Sequence, residues 1–282
     1  MLDRLLSDAT DILARSGIDN PRFEAGLMLA EAAGVSRAQL LARIPAIDTA
    51  VSSRFARMVA RRASREPFAY IVGRKEFHSI ELEVGPDVLI PRCETETLVD
   101  LALEFIAGHE HPWVLDIGTG SGAIALAIAA SNTRARLVAL DISTAALTIT
   151  RRNSLRLGLS RRVELVKADC WIAHSGHVLG KFDLIVSNPP YVCDREIATL
   201  QPEIARYEPR IALSGGPDGL DFYRRIVAGL SDHLAAEGAA MVEVGDDQAD
   251  RLAAIFTADR FEITLHRDLA GTARVVRIRK RT

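Results

Sequence analysis

Cysteine is scarce in this chain of 282 residues, which contains only Cys93, Cys170 and Cys193. The three are odd in number, lie far apart and lack the short spacing of metal ligands, so we predict neither a disulfide framework nor a zinc site. Free thiols are typical of a reducing compartment. The sequence therefore predicts a cytoplasmic protein without a bound metal.

An excess of charge of either sign is also missing, because 35 Lys and Arg stand against 37 Asp and Glu. No basic field favours nucleic acid, and we expect no direct sequence-specific binding to it. The longest apolar run, residues 123–130, is far too short to span a bilayer. The first residues do not form an apolar segment of secretory type. We therefore expect no membrane association.

The first 75 residues have the pattern of a small helical bundle. Leucine and isoleucine recur at helical spacing before Gly17, and Asn20 with Pro21 indicates the start of a second helix that Gly34 ends. Apolar residues at alternate positions then predict a hairpin that joins two domains. We predict a helical substrate-recognition domain over 1–75, a hairpin linker over 76–92 and a second domain over 93–282.

Four arginines, Arg54, Arg57, Arg61 and Arg65, share one stripe of the last predicted helix in this bundle. Counted to Lys75, the segment has 12 Lys and Arg against 8 Asp and Glu. Such a stripe is typical of a solvated helix face, and it is also compatible with a docking surface for an acidic or RNA-associated partner. Both interpretations stay open at this point.

The rest of the chain alternates strands and helices. This order predicts an α/β domain with a mostly parallel sheet covered on both faces. Two strands that follow each other closely at the end predict an antiparallel edge. The predicted strands are residues 113–117, 136–140, 163–166, 182–187, 240–244, 261–265 and 273–278.

A buried strand at 182–187 ends in Asn188, Pro189, Pro190 and Tyr191. The two prolines stiffen the loop, and open α/β sheets place their ligands at the carboxyl ends of such strands. The Asn188 side-chain oxygen and the Pro189 carbonyl can each accept one N–H, while an aromatic ring covers a flat group. The loop is therefore suited to hold a planar –NH2 group.

A glycine-rich loop at 118–122 follows the first strand of this domain. Glycines there permit a ligand to approach the backbone closely, and Asp141 lies where an acidic residue binds ribose hydroxyls. The pattern fits a dinucleotide as well as S-adenosylmethionine. Asp116 favours S-adenosylmethionine, since a carboxylate repels the pyrophosphate of a dinucleotide and attracts an ammonium group. Asp169 is a candidate acceptor for an adenine amine, with Cys170 or Trp171 packing near the base.

The chain resembles the bacterial protein-(glutamine-N5) methyltransferases that act on peptide chain release factors, the PrmC/HemK type. The resemblance lies in residues 65–74, 89–92, 116–122, 187–191, 207–213, 215–221 and 268–271. It implies a seven-stranded Rossmann-like class I methyltransferase domain behind a helical domain that helps to recognise the release factor. It also implies methyl transfer from S-adenosyl-L-methionine, with S-adenosyl-L-homocysteine as product, to the glutamine of the GGQ motif of class I release factors, supporting translation termination.

The candidate site residues fall into two sets. The predicted acceptor-binding residues are Asn188, Pro189, Pro190 and Tyr191, of which Asn188, Pro189 and Tyr191 are the candidate catalytic residues. The predicted cofactor-binding residues are Asp116, Gly118, Thr119, Gly120, Ser121, Gly122, Asp141, Asp169, Cys170, Trp171 and Asn188.

Three other functions are compatible with parts of the pattern. An adenine-N6 methyltransferase of DNA or RNA has the same –NH2-binding loop, but the weak charge and the family matches outside the loop argue against it. A catalytically silent module that binds the cofactor and docks on translation factors is a second, and a nicotinamide oxidoreductase is a third.

The chain departs from the family at Cys170, where an aromatic or large apolar residue is common.

Overall fold

The computed structural model describes residues 2–42, 47–173, 180–245, 247–258, 261–268 and 271–281. The chain divides into two compact units. We call residues 1–73 with 201–207 the helical unit, and residues 74–200 with 208–282 the sheet unit. None of the helices in the described ranges is long and apolar enough to cross a bilayer. Residues 269–270 of the motif predicted at 268–271 lie outside these ranges.

Short helices around one apolar core make up the helical unit. The Asp48 carboxylate accepts a hydrogen bond of 2.8 Å from the Val51 N–H and so caps the fourth helix. Asn20 precedes the second helix as predicted, but its φ of 51° is left-handed and its side chain makes no capping bond. The helices are α1 (Leu2–Arg15), α2 (Pro21–Ala33), α3 (Arg37–Ala42), α4 (Thr49–Ala63), α5 (Phe68–Val72) and α9 (Pro202–Tyr207).

Helix α9 comes from a distant part of the sequence, and Glu203 on it holds two arginines of α4 and its C-terminal turn. One Glu203 oxygen lies 2.8 Å from Arg62, and the other lies 2.7 Å from Arg65. Arg62 also lies 2.6 Å from Glu24 on α2. Since Arg62 is buried, these two carboxylates are what makes its charge tolerable there.

The predicted arginine stripe is therefore not uniform. Arg54 and Arg57 are exposed, whereas Arg61 donates to Glu66 at 2.8 Å and Arg65 is paired within the unit. Two of the four arginines already have a carboxylate partner, which reduces the charge available to an acidic partner. Docking on this stripe stays a prediction.

Eight strands form the sheet of the second unit in the order β6-β5-β4-β3-β7-β8-β10-β9. Strands β3, β4, β5, β7 and β8 are parallel, and the edge strands run antiparallel, as predicted. The two-residue β6 was not predicted and adds to the expected seven. The strands are β3 (Trp113–Ile117), β4 (Arg136–Asp141), β5 (Val163–Asp169), β6 (Ile172–Ala173), β7 (Phe182–Ser187), β8 (Leu234–Glu243), β9 (Phe261–Arg267) and β10 (Ala273–Lys280).

Successive strand residues enter two different cores because side chains alternate across a sheet. Val114 faces the core that contains α6 and α7, and Leu115 faces the core that contains α10 and α11. Helix α8 packs on β4 and β5. The helices are α6 (Glu96–Ile106), α7 (Ala123–Ser131), α8 (Thr144–Arg156), α10 (Asp221–His233) and α11 (Ala249–Ala258).

The predicted hairpin is present as β1 (Arg74–Phe77) and β2 (Ile80–Glu83). His78 and Ser79 form its two-residue turn with φ values of 44° and 65°, which matches the twist of a tight hairpin. Phe77 and Leu82 are buried in the core beneath α6 and α7. The hairpin is thus part of the sheet unit, whereas the sequence placed it in a linker over 76–92.

One boundary differs clearly from the prediction. Helix α10 ends at His233, and β8 begins at Leu234 instead of Ala240. Leu234 pairs with Phe182 on β7, and the register shifts before the next pair, Leu184 with Ala239. Pairing with the central strand overrides the helix propensity of the Leu-Ala-Ala-Glu segment.

Candidate active site

A cavity lies at the carboxyl ends of β3, β4, β5 and β7, where a parallel sheet is expected to bind its ligand. The glycine loop after β3 and the Asn188 loop after β7 both border it. The predicted site residues that line it are Gly118, Thr119, Gly120, Ser121, Asp141, Asp169, Cys170, Asn188 and Pro190. The fold therefore gathers most of the predicted cofactor-binding residues and half of the predicted acceptor-binding residues around one space.

The three glycines of the loop have two different structural roles. Gly118 and Gly120 have φ values of 75° and 58°, and a Cβ added to either would meet no atom within 4 Å. Such a Cβ would occupy open space at the cavity, so both positions leave room for a ligand at the backbone. At Gly122 a Cβ would lie 2.8 Å from Leu126 and Thr150. That glycine instead permits close packing of the loop on α7 and α8.

Asp116 lies beneath the glycine loop and outside the cavity lining. Its Oδ2 accepts hydrogen bonds from the Thr119 hydroxyl at 2.7 Å and the Ala125 N–H at 3.3 Å. Complete burial raises its pKa to about 7, although both hydrogen bonds lower it. The carboxyl group thus fixes the loop, and its predicted contact with the cofactor stays a prediction.

Asp141 joins the end of β4 to the glycine loop. One carboxylate oxygen accepts from the Gly120 N–H at 2.9 Å, and the other accepts from the Ser143 N–H at 2.8 Å. Burial raises its pKa, while these backbone bonds lower it. Each carboxylate oxygen has a second lone pair, so Asp141 retains acceptor capacity towards the cavity.

Asp169 and Cys170 border the cavity at the end of β5. Asp169 forms an ion pair with Arg225 of α10. Cys170 has a left-handed φ of 55°, which the two-residue turn between β5 and β6 requires. Burial raises the pKa of its thiol to about 11, so the group is an uncharged, apolar part of the wall.

Trp171 lies outside the cavity lining, so its predicted contact with the cofactor stays a prediction. Its indole ring stacks on His233 at 4.8 Å between centroids, and its N–H donates to the Arg225 carbonyl at 2.8 Å. The turn at Cys170 directs the ring to α10, away from the cavity lining. The aromatic residue that does line the cavity is Phe222, which the sequence analysis missed.

Asn188 is held by a side chain of the turn that precedes α6. Its Nδ2 donates to the Thr95 hydroxyl at 3.0 Å, and both residues line the cavity. Pro190 also lines the cavity, whereas Pro189 and the Tyr191 ring do not. Tyr191 is half-buried against the core that contains α10 and α11. Its predicted position over a substrate amide stays a prediction.

The loop after Asn188 rests on backbone that has no room for side chains. A Cβ at Gly215 would lie 2.8 Å from the Pro190 carbonyl oxygen, and one at Gly219 would lie 2.5 Å from the Tyr191 carbonyl oxygen. The Gln248 side chain donates to that Tyr191 oxygen at 2.9 Å. These residues explain why glycines recur in the 215–221 motif, which sequence reasoning noted without a physical reason.

Two buried carboxyl groups lie behind the cavity wall. Glu208 pairs with the cavity-lining Arg92 at 2.6 Å, and burial raises its pKa although the arginine lowers it. Glu243 lies at the end of β8, and burial raises its pKa to about 7, although the neighbouring Thr95 side chain lowers it. Sequence reasoning assigned a role to neither of them, although Glu208 lies in the 207–213 motif.

Comparison with protein families matches residues 4–73 to the PrmC N-terminal domain and residues 96–206 to the methyltransferase small domain. The release factor glutamine methyltransferase of Moorella thermoacetica is 42% identical over 248 residues, covering 88% of this chain and 86% of that protein. The release factor glutamine methyltransferase of Caulobacter vibrioides is 40% identical over 273 residues, covering 95% of this chain and 92% of that protein.

Solved structures give the fold independently. The catalytic domain of hMettl16, in complex with a MAT2A 3′UTR hairpin, aligns with a TM-score of 0.58 at 16% identity, covering 80% of this chain and 82% of that chain. The human methyltransferase 10 domain containing protein aligns with a TM-score of 0.51 at 16% identity, covering 71% of this chain and 88% of that chain. Both support the α/β architecture of a class I methyltransferase, as predicted.

Proposed function

Because the chain belongs to the release factor glutamine methyltransferase family, we propose that it methylates the side-chain amide nitrogen (N5) of glutamine in the GGQ motif of class I peptide chain release factors. S-adenosyl-L-methionine is the proposed methyl donor, and S-adenosyl-L-homocysteine is the product. The observation that carries the proposal is that the glycine loop and the Asn188 carboxamide border one cavity. A donor and an acceptor amide can meet there.

The cavity fits the proposed cofactor in its hydrogen-bond acceptors and in its free space. Gly118 and Gly120 leave open backbone at the end of β3, and the carboxylates of Asp141 and Asp169 follow at the ends of β4 and β5. Carboxylates accept hydrogen bonds from hydroxyl and amino groups, which a nucleoside offers. When bound, the cofactor supplies a methyl group on a sulfonium, which is a strong electrophile with a neutral leaving group.

The chain's own part is to align and polarise a poor nucleophile. A glutamine amide nitrogen has its lone pair delocalised into the carbonyl. The Asn188 oxygen and the Pro189 carbonyl each accept one amide hydrogen in our proposal, which orients the nitrogen. Their partial negative charges also stabilise the positive charge that develops there. Alignment of this kind contributes about 7–11 kcal/mol in favourable cases.

The remaining residues of the loop and the cavity wall are proposed to surround the acceptor amide. Pro190 and Phe222 supply apolar wall, and Tyr191 is proposed to cover the amide from water. We assign recognition of the release factor to the helical unit and methyl transfer to the sheet unit. A cytoplasmic location follows from the proposed substrate.

Mass spectrometry of the GGQ peptide tests the proposal. After incubation of a release factor with the protein and S-adenosyl-L-methionine, we expect a gain of about 14 Da on the glutamine, the mass of one methylene. A release factor with that glutamine changed to Asn is the matched control and gains nothing. Transfer to adenine in DNA or RNA without transfer to the release factor would contradict the proposal.

Asn188→Ala tests the role of the loop. We expect kcat to fall by about 10²–10³, since one preorganised acceptor at the reacting nitrogen is lost. The affinity for S-adenosyl-L-methionine, measured by calorimetry, changes far less. Equal losses in kcat and cofactor affinity would assign Asn188 to cofactor binding alone.

A further inference from the structure

A chain of side-chain contacts runs from the sheet core to the cavity. Asn188 donates from Nδ2 to the Thr95 hydroxyl at 3.0 Å. The Thr95 side chain lies in turn beside the Glu243 carboxyl group and lowers its pKa. Ser187 pairs with Val242 across neighbouring strands, so Asn188 and Glu243 each follow directly from that pair. The parallel register therefore puts both side chains at one edge of the sheet, with Thr95 between them.

A hydroxyl group has a single hydrogen, and this limits the possible arrangements. When Thr95 donates that hydrogen to the Glu243 carboxylate, its oxygen can only accept. Asn188 must then present its –NH2 group to Thr95, as the structure has it, and turn its carbonyl oxygen the other way. That oxygen is the atom which an incoming amide N–H needs.

We propose that Thr95 and Glu243 are positioning residues that fix which end of the Asn188 carboxamide faces the acceptor glutamine. The inference rests on the proposed function and deepens it. Neither residue touches the reacting atoms in this account. Both act through Asn188, whose two ends are nearly equal in size and opposite in polarity.

The opposite arrangement is chemically available and would be unproductive. A protonated Glu243 can donate to Thr95, and Thr95 can then donate to the Asn188 oxygen. The Asn188 –NH2 group would face the acceptor amide, so that two donors meet. The charge state of Glu243 thereby selects between an accepting and a donating Asn188.

The surroundings of Glu243 set the pH at which Asn188 changes between the accepting and the donating arrangement. The side chain is buried, and within the described residues its Oε2 has no hydrogen-bond partner. Desolvation is the largest influence and raises the pKa to about 7, so the carboxylate prevails above that pH. The groups that face it are Thr95, Arg274, Glu94 and Arg92 through their side chains, and the Tyr223 hydroxyl at its backbone carbonyl.

Three variants test the inference under saturating cofactor. Thr95→Val removes the hydroxyl at nearly constant volume, and we expect kcat to fall about ten- to a hundredfold because Asn188 loses its orientation. Thr95→Ser keeps the hydroxyl and stays within about threefold of the unmodified protein. Glu243→Gln gives a smaller loss than Thr95→Val, because a carboxamide both donates and accepts. Ser154→Ala is the control, since it removes a buried hydroxyl that has no partner and lies outside the cavity.

Two readouts separate positioning from general damage to the fold. The kcat of the unmodified protein rises with pH through about 7, and this rise disappears in Thr95→Val and in Glu243→Gln. A competing peptide with glutamate in place of the acceptor glutamine binds the unmodified protein poorly, since its carboxylate meets the Asn188 oxygen. In Thr95→Val the glutamine-over-glutamate preference falls about tenfold, while calorimetry shows an unchanged affinity for S-adenosyl-L-methionine.

The outcomes are distinguishable. An unmodified protein that fails to methylate the release factor overturns the proposed function and this inference together. An active protein whose Thr95→Val and Glu243→Gln variants keep both the pH profile and the glutamine preference overturns the inference alone. If Thr95→Val does not fold, Glu243→Gln decides by the same two readouts.

Discussion

Three carboxyl groups of the sheet unit, Asp116, Glu208 and Glu243, are buried and keep one oxygen without a partner among the described residues. Burial opposes ionisation, and in each case it raises the pKa. Asp116 supports the glycine loop and Glu243 supports Asn188 through Thr95. These buried carboxyl groups behind the cavity therefore lower the stability of the fold near neutral pH. Two of them also fix the geometry of the glycine loop and of Asn188.

Asp116→Asn tests this cost. The folded pKa of Asp116, about 7, lies above its ordinary value of 3.8, so the unfolded chain releases the proton first. Stability from this group is complete below pH 3.8 and is lost as the pH rises towards 7. We expect Asp116→Asn to lose less stability than the unmodified protein between pH 4 and pH 7 in urea denaturation. Asp19→Asn, a change at an exposed residue, is the control. An identical dependence of the free energy of unfolding on pH in all three proteins would contradict the expectation.

Sequence reasoning gave the correct location for residues whose place at the cavity is set by backbone position. Gly118, Gly120 and Asp141 follow strand ends, and strand ends can be read from apolar runs. The direction of the Trp171 ring could not be predicted, because it follows a left-handed residue and nothing in the pattern marks that φ. The contact of Thr95 with Asn188 could not be predicted, since it spans 93 positions of the sequence.

At the scale of elements, the segment 214–220 acts as a rigid support for the loop that carries Asn188. Ser214 bridges to Val192, and Gly215 donates to the Val192 carbonyl at 2.9 Å. Gly219 has a φ of 76° and faces the Tyr191 carbonyl with no space for a side chain. Displacement of this support would displace the acceptor-binding loop.

Gly219→Ala measures that effect. The added Cβ would lie 2.5 Å from the Tyr191 oxygen and 2.7 Å from Gln248, and the left-handed φ adds strain. We expect a loss of about 1–3 kcal/mol in the free energy of unfolding, with kcat lowered more than cofactor affinity. Gly108→Ala is the control, because a Cβ there meets no atom within 4 Å. An active, fully stable Gly219→Ala variant would refute the supporting role.

The elements themselves were predicted well where local pattern and tertiary context agree. Seven strands and the hairpin follow from β-branched and apolar runs bounded by turns, and all of them are present. The start of β8 was misplaced because its pairing with β7 is a long-range effect. Helix α9 was not predicted, since six residues carry too little periodic signal.

At the scale of the whole molecule, a segment of seven residues, 201–207, belongs with the first 73 residues and not with its sequence neighbours. Glu203 is the residue that explains this, because it supplies one of the two carboxylates that offset the buried Arg62. Hydrogen bonds from Arg65 and Arg62 outweigh desolvation and lower the pKa of Glu203, so it is ionised near neutral pH.

Glu203→Ala in the full chain should therefore destabilise the helical unit selectively. Removing one partner of a buried pair costs about 3 kcal/mol. We expect faster hydrogen exchange at the amides of α2 and α4, with the amides of β3 and β4 unchanged, measured by mass spectrometry. The exposed Glu196→Ala is the control, and uniform loss of protection in both units would show that the effect is not local.

The chain passes from one unit to the other three times, at residues 73–74, 200–201 and 207–208. Residues 1–73 are consequently not a cassette that can be exchanged by one splice. A chimera that takes these residues from a relative would combine the arginines of that relative with Glu203 of this chain. Any mismatch would leave a buried charge without an ion-pair partner. Recombination, whether in evolution or in the laboratory, has to transplant two separated pieces of sequence at once.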